Sequence, residues 1–449
     1  MVNFLQYAKE YSKLSNENFD LLFYHLDMRV WFHSPYWKNS LQIYEPQKVV
    51  NEKDRLIQIS FFTKIFNYLK CIAKKLIHIT GTVLFYNNKS KENKNEYNDD
   101  DIIVFHSYFN FKTSLPFKKV NLFDFSFLNT NEYGNDIKLI YEVDAIIQTE
   151  GLGYFLSSEM NEKINHLKES LYRIYSDKRI KALFVPSDST FWERILIFIF
   201  NKLNKPTFEY LHGLPALYRN HYCNYLLVWS KKIKENFINI GYPDKKLFVL
   251  SNLKYDNNFK EMKEMDLTSV LVLSYSIMGA NSTNDVSITI PRDFGVTLLY
   301  PELVKNVLLK FGVKKALFRP HPSENPYWYA KNIDTSFYEI DTSTTEDKVL
   351  KNTSLVIGPT STMLLNSLYY GTPYILFEPK FDDEEFSPFN LVPPFDGTDP
   401  YVPLCRTEDE LYSAIKEKKC ASQELYYEYN DYSDELQKIV DIIKGIRHE

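Results

Sequence analysis

Short apolar runs rich in β-branched residues recur along this chain, and each stops at a polar turn that opens an amphipathic stretch. Ile102-Ile-Val-Phe105, Lys181-Ala-Leu-Phe-Val185, Val270-Leu-Val-Leu273 and Leu355-Val-Ile357 are the clearest. Strands covered on both faces read as continuous apolar runs, and the stretches of helical period between them supply the cover. This alternation implies an α/β fold built on parallel sheets. Strands are expected over 102–105, 145–147, 181–185, 206–211, 225–229, 247–250, 270–273, 313–318, 355–357 and 373–377. Helices are expected over 160–178, 191–203, 231–240, 294–312 and 363–370, the last closed by Gly371. Residues 280–293 read as a loop, and the C-terminal stretch as mainly helical.

A chain of 449 residues exceeds one ordinary core, so two domains are expected. Their division is read as a first Rossmann-like domain over 1–215, a second over 216–420, and a helical tail over 421–449 that crosses back toward the first. The net charge of −5 and pI near 6.1 give no basic field for phosphate backbones, which excludes a nucleic-acid binder. Cys71, Cys223, Cys405 and Cys420 lie far apart with no CxxC spacing, the pattern of a reduced cytoplasmic protein without structural zinc. The N-terminus shows no basic-then-apolar leader, and no apolar run is long enough to span a bilayer.

Two stretches of the first domain stand apart. Over 55–79, Phe62, Ile65, Phe66, Leu69, Ile72 and Leu76 recur at helical spacing among Lys64, Lys70, Lys74 and Lys75. Such a basic amphipathic helix either packs on its own domain or lies on an anionic membrane surface. Residues 87–101 are polar and charged and read as a mobile loop.

Ligands of open α/β sheets bind beyond the carboxyl ends of the strands, so the residues there are the site candidates. In the second domain they are Ser274 and Tyr275, then Arg319, His321 and Pro322, then Thr360, Ser361 and Thr362 at the cap of the following helix. Hydroxyls and free N–H groups at a helix start suit a phosphate, and a histidine can donate to one. Glu339, after Phe337-Tyr338, is a candidate for ribose hydroxyls. In the first domain the candidates are His106, Glu150, Asp188 and His212, Asp188 being either a reserve base or a helix cap. No ligand-spaced His/Cys/carboxylate cluster calls for a metal, and Asp99-Asp-Asp101 and Asp382-Asp-Glu-Glu385 read as solvated loops. Neither a Walker lysine loop nor GxGxxG is present, which removes ATP hydrolysis and dinucleotide redox chemistry.

His321-Pro322 and Ser361-Thr362 resemble the HP and SS/ST motifs of bacterial sialyltransferases and polysialyltransferases of the GT-B fold. Glu150-Gly151 matches the last two positions of their D/E-D/E-G motif, with Thr149 where a second acid is usual. His212-Gly213 and Val228-Trp-Ser230 are similar, more loosely, to capsule, lipopolysaccharide and Kdo transferases. The resemblance runs over about 100–380 as an order of elements. It implies an acceptor domain followed by a nucleotide-sugar domain across a cleft, and an inverting, metal-independent transferase without a cofactor. Its donor would be a CMP-linked nonulosonic acid, sialic-acid-like or Kdo-like, and its acceptor a lipo-oligosaccharide, O-antigen or capsule glycan. Glu150 would be the base and His321 the group that assists the leaving phosphate. Arg319, Pro322, Glu339, Ser274, Tyr275 and Thr360–Thr362 would hold the nucleotide, with His106, Asp188 and His212 on the acceptor side. The expected location is the cytoplasm, with the inner face of the membrane as a candidate partner. The alternatives are the same scaffold with a CDP- or UDP-linked donor, an epimerase on that fold, and a non-catalytic capsule-assembly component.

Overall fold

The computed structural model describes residues 9–22, 101–105, 115–150, 152–188, 190–211, 213–214, 222–252, 259–275, 278–281, 288–291, 294–321, 326–343, 345–381, 384–386, 391–430 and 435–445. The expected helix at 55–79, residues 87–100, and His106, Gly151, His212 and Pro322 lie outside them.

The first sheet collects β1 (Ile102–Phe105), β2 (Lys118–Asn121), β3 (Ile180–Val185), β4 (Thr207–Tyr210), β5 (Tyr225–Val228) and β6 (Leu247–Val249). They pair in the order β2-β1-β3-β4-β5-β6, every neighbour parallel. Between the strands run α1 (Thr130–Thr149), α2 (Leu152–Phe155), α3 (Ser158–Tyr175), α4 (Phe191–Lys202) and α5 (Lys231–Asn239). The Ser157 hydroxyl accepts the Met160 N–H and starts α3. Met160, Ile164, Leu167, Leu171 and Ile174 then bury one stripe of it. The apolar run of α4 is buried on nearly every side, as a helix between a sheet and another helix must be.

Two expectations change here. Residues 145–147 are not a strand but the last turns of α1. The buried positions of that segment, Ile140, Val143 and Ile147, recur at three and four, and the run Ala145-Ile-Ile147 hid that period. The first sheet also extends past residue 215. Phe208 pairs with Tyr225 and Leu226 with Leu247, so the unit over 225–249 belongs to the first sheet rather than to the second domain. Its strands are largely buried and continue the layer beyond β4, which is buried throughout and paired on both sides.

The second sheet holds β7 (Val270–Leu273), β10 (Ala316–Arg319), β11 (Tyr338–Ile340), β12 (Leu355–Gly358), β13 (Tyr374–Phe377) and β16 (Leu404–Cys405). Between β7 and β10, residues 280–293 are not a plain loop: β8 (Met278–Asn281) and β9 (Ile288–Pro291) form an antiparallel hairpin. β14 (Lys380–Phe381) and β15 (Glu384–Glu385) form another. The helices are α6 (Phe294–Lys310), α7 (Pro326–Asn332), α8 (Glu346–Lys351), α9 (Met363–Tyr369), α10 (Glu408–Lys416), α11 (Glu424–Tyr429) and α12 (Leu436–Ile443). The main strands run parallel in the order β11-β10-β7-β12-β13-β16. Numbered within the sheet this is 3-2-1-4-5-6, the doubly wound Rossmann order.

The chain is therefore two parallel α/β sheets of Rossmann type, the GT-B architecture expected. One hydrophobic cluster joins them. It runs from Phe208, Leu226 and Trp229 through Leu214 and Leu364 to Val356 and Leu376, and takes in Leu425, Ile439 and Val440 of the C-terminal helices. Among the described residues no helix is long and apolar enough to cross a membrane.

Candidate active site

Strand order places a crevice where neighbouring connections leave in opposite directions. In the second sheet that point lies between β7 and β12. The turns beyond these strands carry Ser274 and Tyr275 on one side and Thr360, Ser361 and Thr362 on the other. His321 follows β10, the next strand over. The sequence-expected groups Ser274, His321 and Ser361 are thus brought to one sheet edge.

Hydrogen bonds fix these turns. The Ser274 N–H donates to the Arg319 carbonyl at 2.9 Å, and the His321 N–H donates to Ser274 Oγ at 2.9 Å. The His321 side chain stays exposed beyond this stitch. Arg319 is the last strand residue rather than the first loop residue. Its guanidinium is ion-paired with Asp341 and donates to Ser343 Oγ at 2.9 Å. It therefore ties the end of β10 to the chain after β11. Glu339 is exposed on β11 opposite Leu317, two residues below the strand end at Arg319, and does not join the group.

The turn after β12 rests on a carboxylate that sequence reasoning missed. Glu378, 1% exposed just past β13, accepts the Thr360 N–H at 2.5 Å and the Tyr275 hydroxyl at 2.8 Å. Tyr275 is itself fully buried, so its ring and hydroxyl serve this link. The turn begins at Gly358, where a Cβ would stand 2.4 Å from Tyr374 Oη and 2.6 Å from Leu273 Cδ1. Tyr374 Oη in turn donates to the Pro359 carbonyl at 2.6 Å. Ser361 Oγ accepts the Met363 N–H at 3.2 Å and starts α9. Thr360 Oγ1 is buried and meets no partner among the described residues. Thr362 reaches the other domain: its Oγ1 accepts the Leu214 N–H at 2.8 Å. The signal for Glu378 was a glutamate directly after an apolar strand, where a buried acid requires dedicated donors.

On the first domain, Glu150 is the exposed C-cap of α1, not a strand-end residue. It still reaches the strand-end side of the sheet. Asp144, near the end of α1, accepts the Trp192 Nε1–H at 2.8 Å, and Trp192 is in the first turn after β3. Asp188 is not the cap of α4, because Thr190 occupies that position. Its carboxylate instead accepts the Tyr222 N–H at 2.7 Å. Arg194 donates to the Asp188 carbonyl at 3.1 Å, and its guanidinium stacks 4.5 Å from the Tyr222 ring centre. Beneath this loop lie two buried acids, Glu193 on α4 and Glu209 on β4. Burial, with the charges of Asp188 and Glu209 adding to it, pushes the Glu193 carboxyl up to about 7. A glutamate inside the strand Thr207-Phe-Glu-Tyr210 was the sequence signal for this group. Among the described residues no cluster of His, Cys, Asp or Glu is placed to hold a metal ion.

No family model matches the chain, and no curated protein sequence does. Among solved structures it is similar to UDP-GlcNAc 2-epimerase from Neisseria meningitidis bound to UDP-GlcNAc, at 10% identity and a TM-score of 0.36 over 77% of this chain and 97% of that one. It is similar to the Anabaena protein HepE in complex with UDP-glucose, at 9% identity and a TM-score of 0.34 over 77% and 98%. It is also similar to the wall teichoic acid polymerase TagF, at 13% identity and a TM-score of 0.34 over 84% and 97%. At such values the fold stands on its own strand order, which defines a two-domain α/β protein of the GT-B type.

Proposed function

We propose that the protein is a glycosyltransferase whose donor is a sugar linked to a pyrimidine nucleotide. The observation that carries this reading is the switch-point crevice of the second sheet. His321, Ser361 and the buried Thr360 hydroxyl gather there, and Thr362 bonds to the strand-end loop of the first domain. The donor half and the acceptor half of a transfer site would then face each other. The His-Pro and Ser-Thr motifs imply a CMP-linked nonulosonic acid. A CDP- or UDP-linked donor is the second reading, consistent with the same crevice.

The chemistry asks for a base at the acceptor hydroxyl and stabilisation of the leaving phosphate. Glu150, exposed at the end of α1, is the proposed base. His321 donates to the departing phosphate, and the Ser361 hydroxyl, whose oxygen holds the Met363 N–H, donates its proton to the same group. Asp188 with the loop after β3 is the proposed acceptor wall. These steps use side chains and N–H groups alone, in keeping with an inverting transfer that needs no cofactor.

Thermal unfolding with CMP, CDP, UDP and GDP tests the reading. A nucleotide at a hundredfold its dissociation constant stabilises by about 2.7 kcal/mol. Stabilisation by one pyrimidine nucleotide and not by GDP is expected, and the responding nucleotide, base and phosphate number together, identifies the donor class. No response to any of the four would sink the transferase reading in favour of an assembly component. Glu150→Gln should leave nucleotide binding intact and abolish transfer, measured with the responding donor and an acceptor glycan.

A further inference from the structure

The Thr362 hydroxyl, which the motif resemblance assigns to the phosphate, is committed elsewhere. Its oxygen accepts the Leu214 N–H at 2.8 Å, and its proton goes to the Leu214 carbonyl at 3.3 Å. A threonine hydroxyl has only one proton, so it cannot serve this carbonyl and a phosphate oxygen together. Nor does Thr362 cap its own helix: it makes no side-chain cap bond, and the Met363 N–H belongs to Ser361. Across the gap, the first-domain backbone comes close because residue 213 is glycine. A Cβ there would stand 3.1 Å from Thr362 Oγ1. Leu214 is 9% exposed and packs in the cluster that also holds Met363 and Leu364. A polar clasp therefore sits within the apolar contact, at the point where the strand-end loop after β4 meets the turn after β12.

We infer that Thr362 is a positioning residue that registers the first domain on the second, and that Ser361 and His321 are left to meet the phosphate. The inference rests on the transfer reaction proposed above, in which base and acceptor come from one domain and donor from the other. A two-part bond to one residue's N–H and C=O fixes direction as well as distance, which a purely apolar contact does not. Transfer rates fall steeply when reacting groups are misplaced by about 1 Å, so such a clasp would act on turnover rather than on donor affinity.

Three variants separate this from a phosphate ligand. Thr362→Val keeps the shape and removes the hydroxyl, Thr362→Ser keeps the hydroxyl, and Gly213→Ala presses on the clasp from the first domain alone. The ligand-independent readout is the distance distribution between labels at the exposed Glu169 on α3 and Lys416 on α10, introduced as non-canonical residues. The second readout is kcat and KM with whichever of CMP, CDP or UDP donors the nucleotide screen selects. Thr362→Val and Gly213→Ala should each broaden the distance distribution and lower kcat by about tenfold, the scale of one hydrogen bond with an orphaned partner. Donor KM should stay within about twofold. Thr362→Ser should restore both readouts, and the Gly213→Ala/Thr362→Val double variant should be no worse than the worse single one. An unchanged distance distribution in Thr362→Val, additive effects in the double variant, or a raised donor KM at constant kcat would each overturn the inference. If the wild-type protein answers to no nucleotide, the transferase reading fails by itself, and the distance arm still decides the clasp.

Discussion

Glu378 shows how much of the site hangs on one side chain outside the recognisable motifs. Glu378→Ala would orphan the buried Tyr275 hydroxyl, at roughly 1–3 kcal/mol, and the half-buried Thr360 N–H, at the lower end of that range. Glu378→Gln keeps an acceptor and should recover most of that, read as urea midpoints at constant m-value. Gly358→Ala places its methyl against Tyr374 Oη and Leu273. It should destabilise by about 1–3 kcal/mol through overpacking. Glu193 makes a pH prediction. Its carboxyl ionises near 4.5 when unfolded and about 7 when folded. Between those values the folded state holds the proton that the unfolded chain has lost, so stability falls as pH rises through that window. Glu193→Gln should remove that slope and be more stable than the parent at pH 8 by roughly 3 kcal/mol. A parallel pair of stability–pH curves would contradict the assignment. At this scale the sequence shows Ser274, His321 and Ser361, because each follows an apolar strand. Glu378 also follows an apolar strand, but the sequence hides what it, Asp341 and Leu214 hold, because their partners Thr360, Tyr275, Arg319 and Thr362 come from other strand ends.

The elements that sequence periodicity reveals are the buried ones. β7, β12 and β13 carry no polar side chain but a tyrosine and β3 a single lysine, and the sequence pattern places all four within a residue or two. β2 carries two lysines and β11 a solvent-facing glutamate, so these edge strands lack the continuous apolar run that the central ones show. The end of α1 reads as a strand because three apolar residues stand together at the close of a half-buried helix. The segment before α12 illustrates an edge that only tertiary structure supplies. Glu435 N–H donates to the Val249 carbonyl at 2.8 Å, and its Oε2 accepts the Val249 N–H at 2.8 Å. Lys234 Nζ lies 3.6 Å from the same carboxylate oxygen. The C-terminal chain thereby closes the open side of β6, an edge that proteins generally cover. Glu435→Ala removes the acceptor while the backbone bond remains. We expect a loss of about 1–2 kcal/mol and faster hydrogen exchange at Val249, with the second sheet's amides unchanged. Equal acceleration across both sheets would place the effect elsewhere.

At the scale of the whole molecule, the two sheets are separate layers but share one apolar cluster. Two domains joined only by a linker unfold independently, whereas a shared core couples them. Here Leu214 from the first domain and Leu364 from the second meet in that cluster, and α11 and α12 contribute Leu425, Tyr426, Tyr429, Ile439, Val440 and Ile443. Fully burying a leucine or isoleucine side chain contributes about 1.5–3 kcal/mol, so these few positions outweigh the Thr362–Leu214 bonds as a source of cohesion. The bonds then set register, and the apolar contact sets coupling. Calorimetry should accordingly show one transition whose van't Hoff and calorimetric enthalpies agree. Ile439→Ala, deep in the shared cluster, should lower that single transition by 2–5 kcal/mol, without splitting off a first-domain melt. Two resolved transitions in the parent, only the later of them moved by Ile439→Ala, would mean that the sheets unfold independently. Closure over the donor would then have to be driven by the ligand alone.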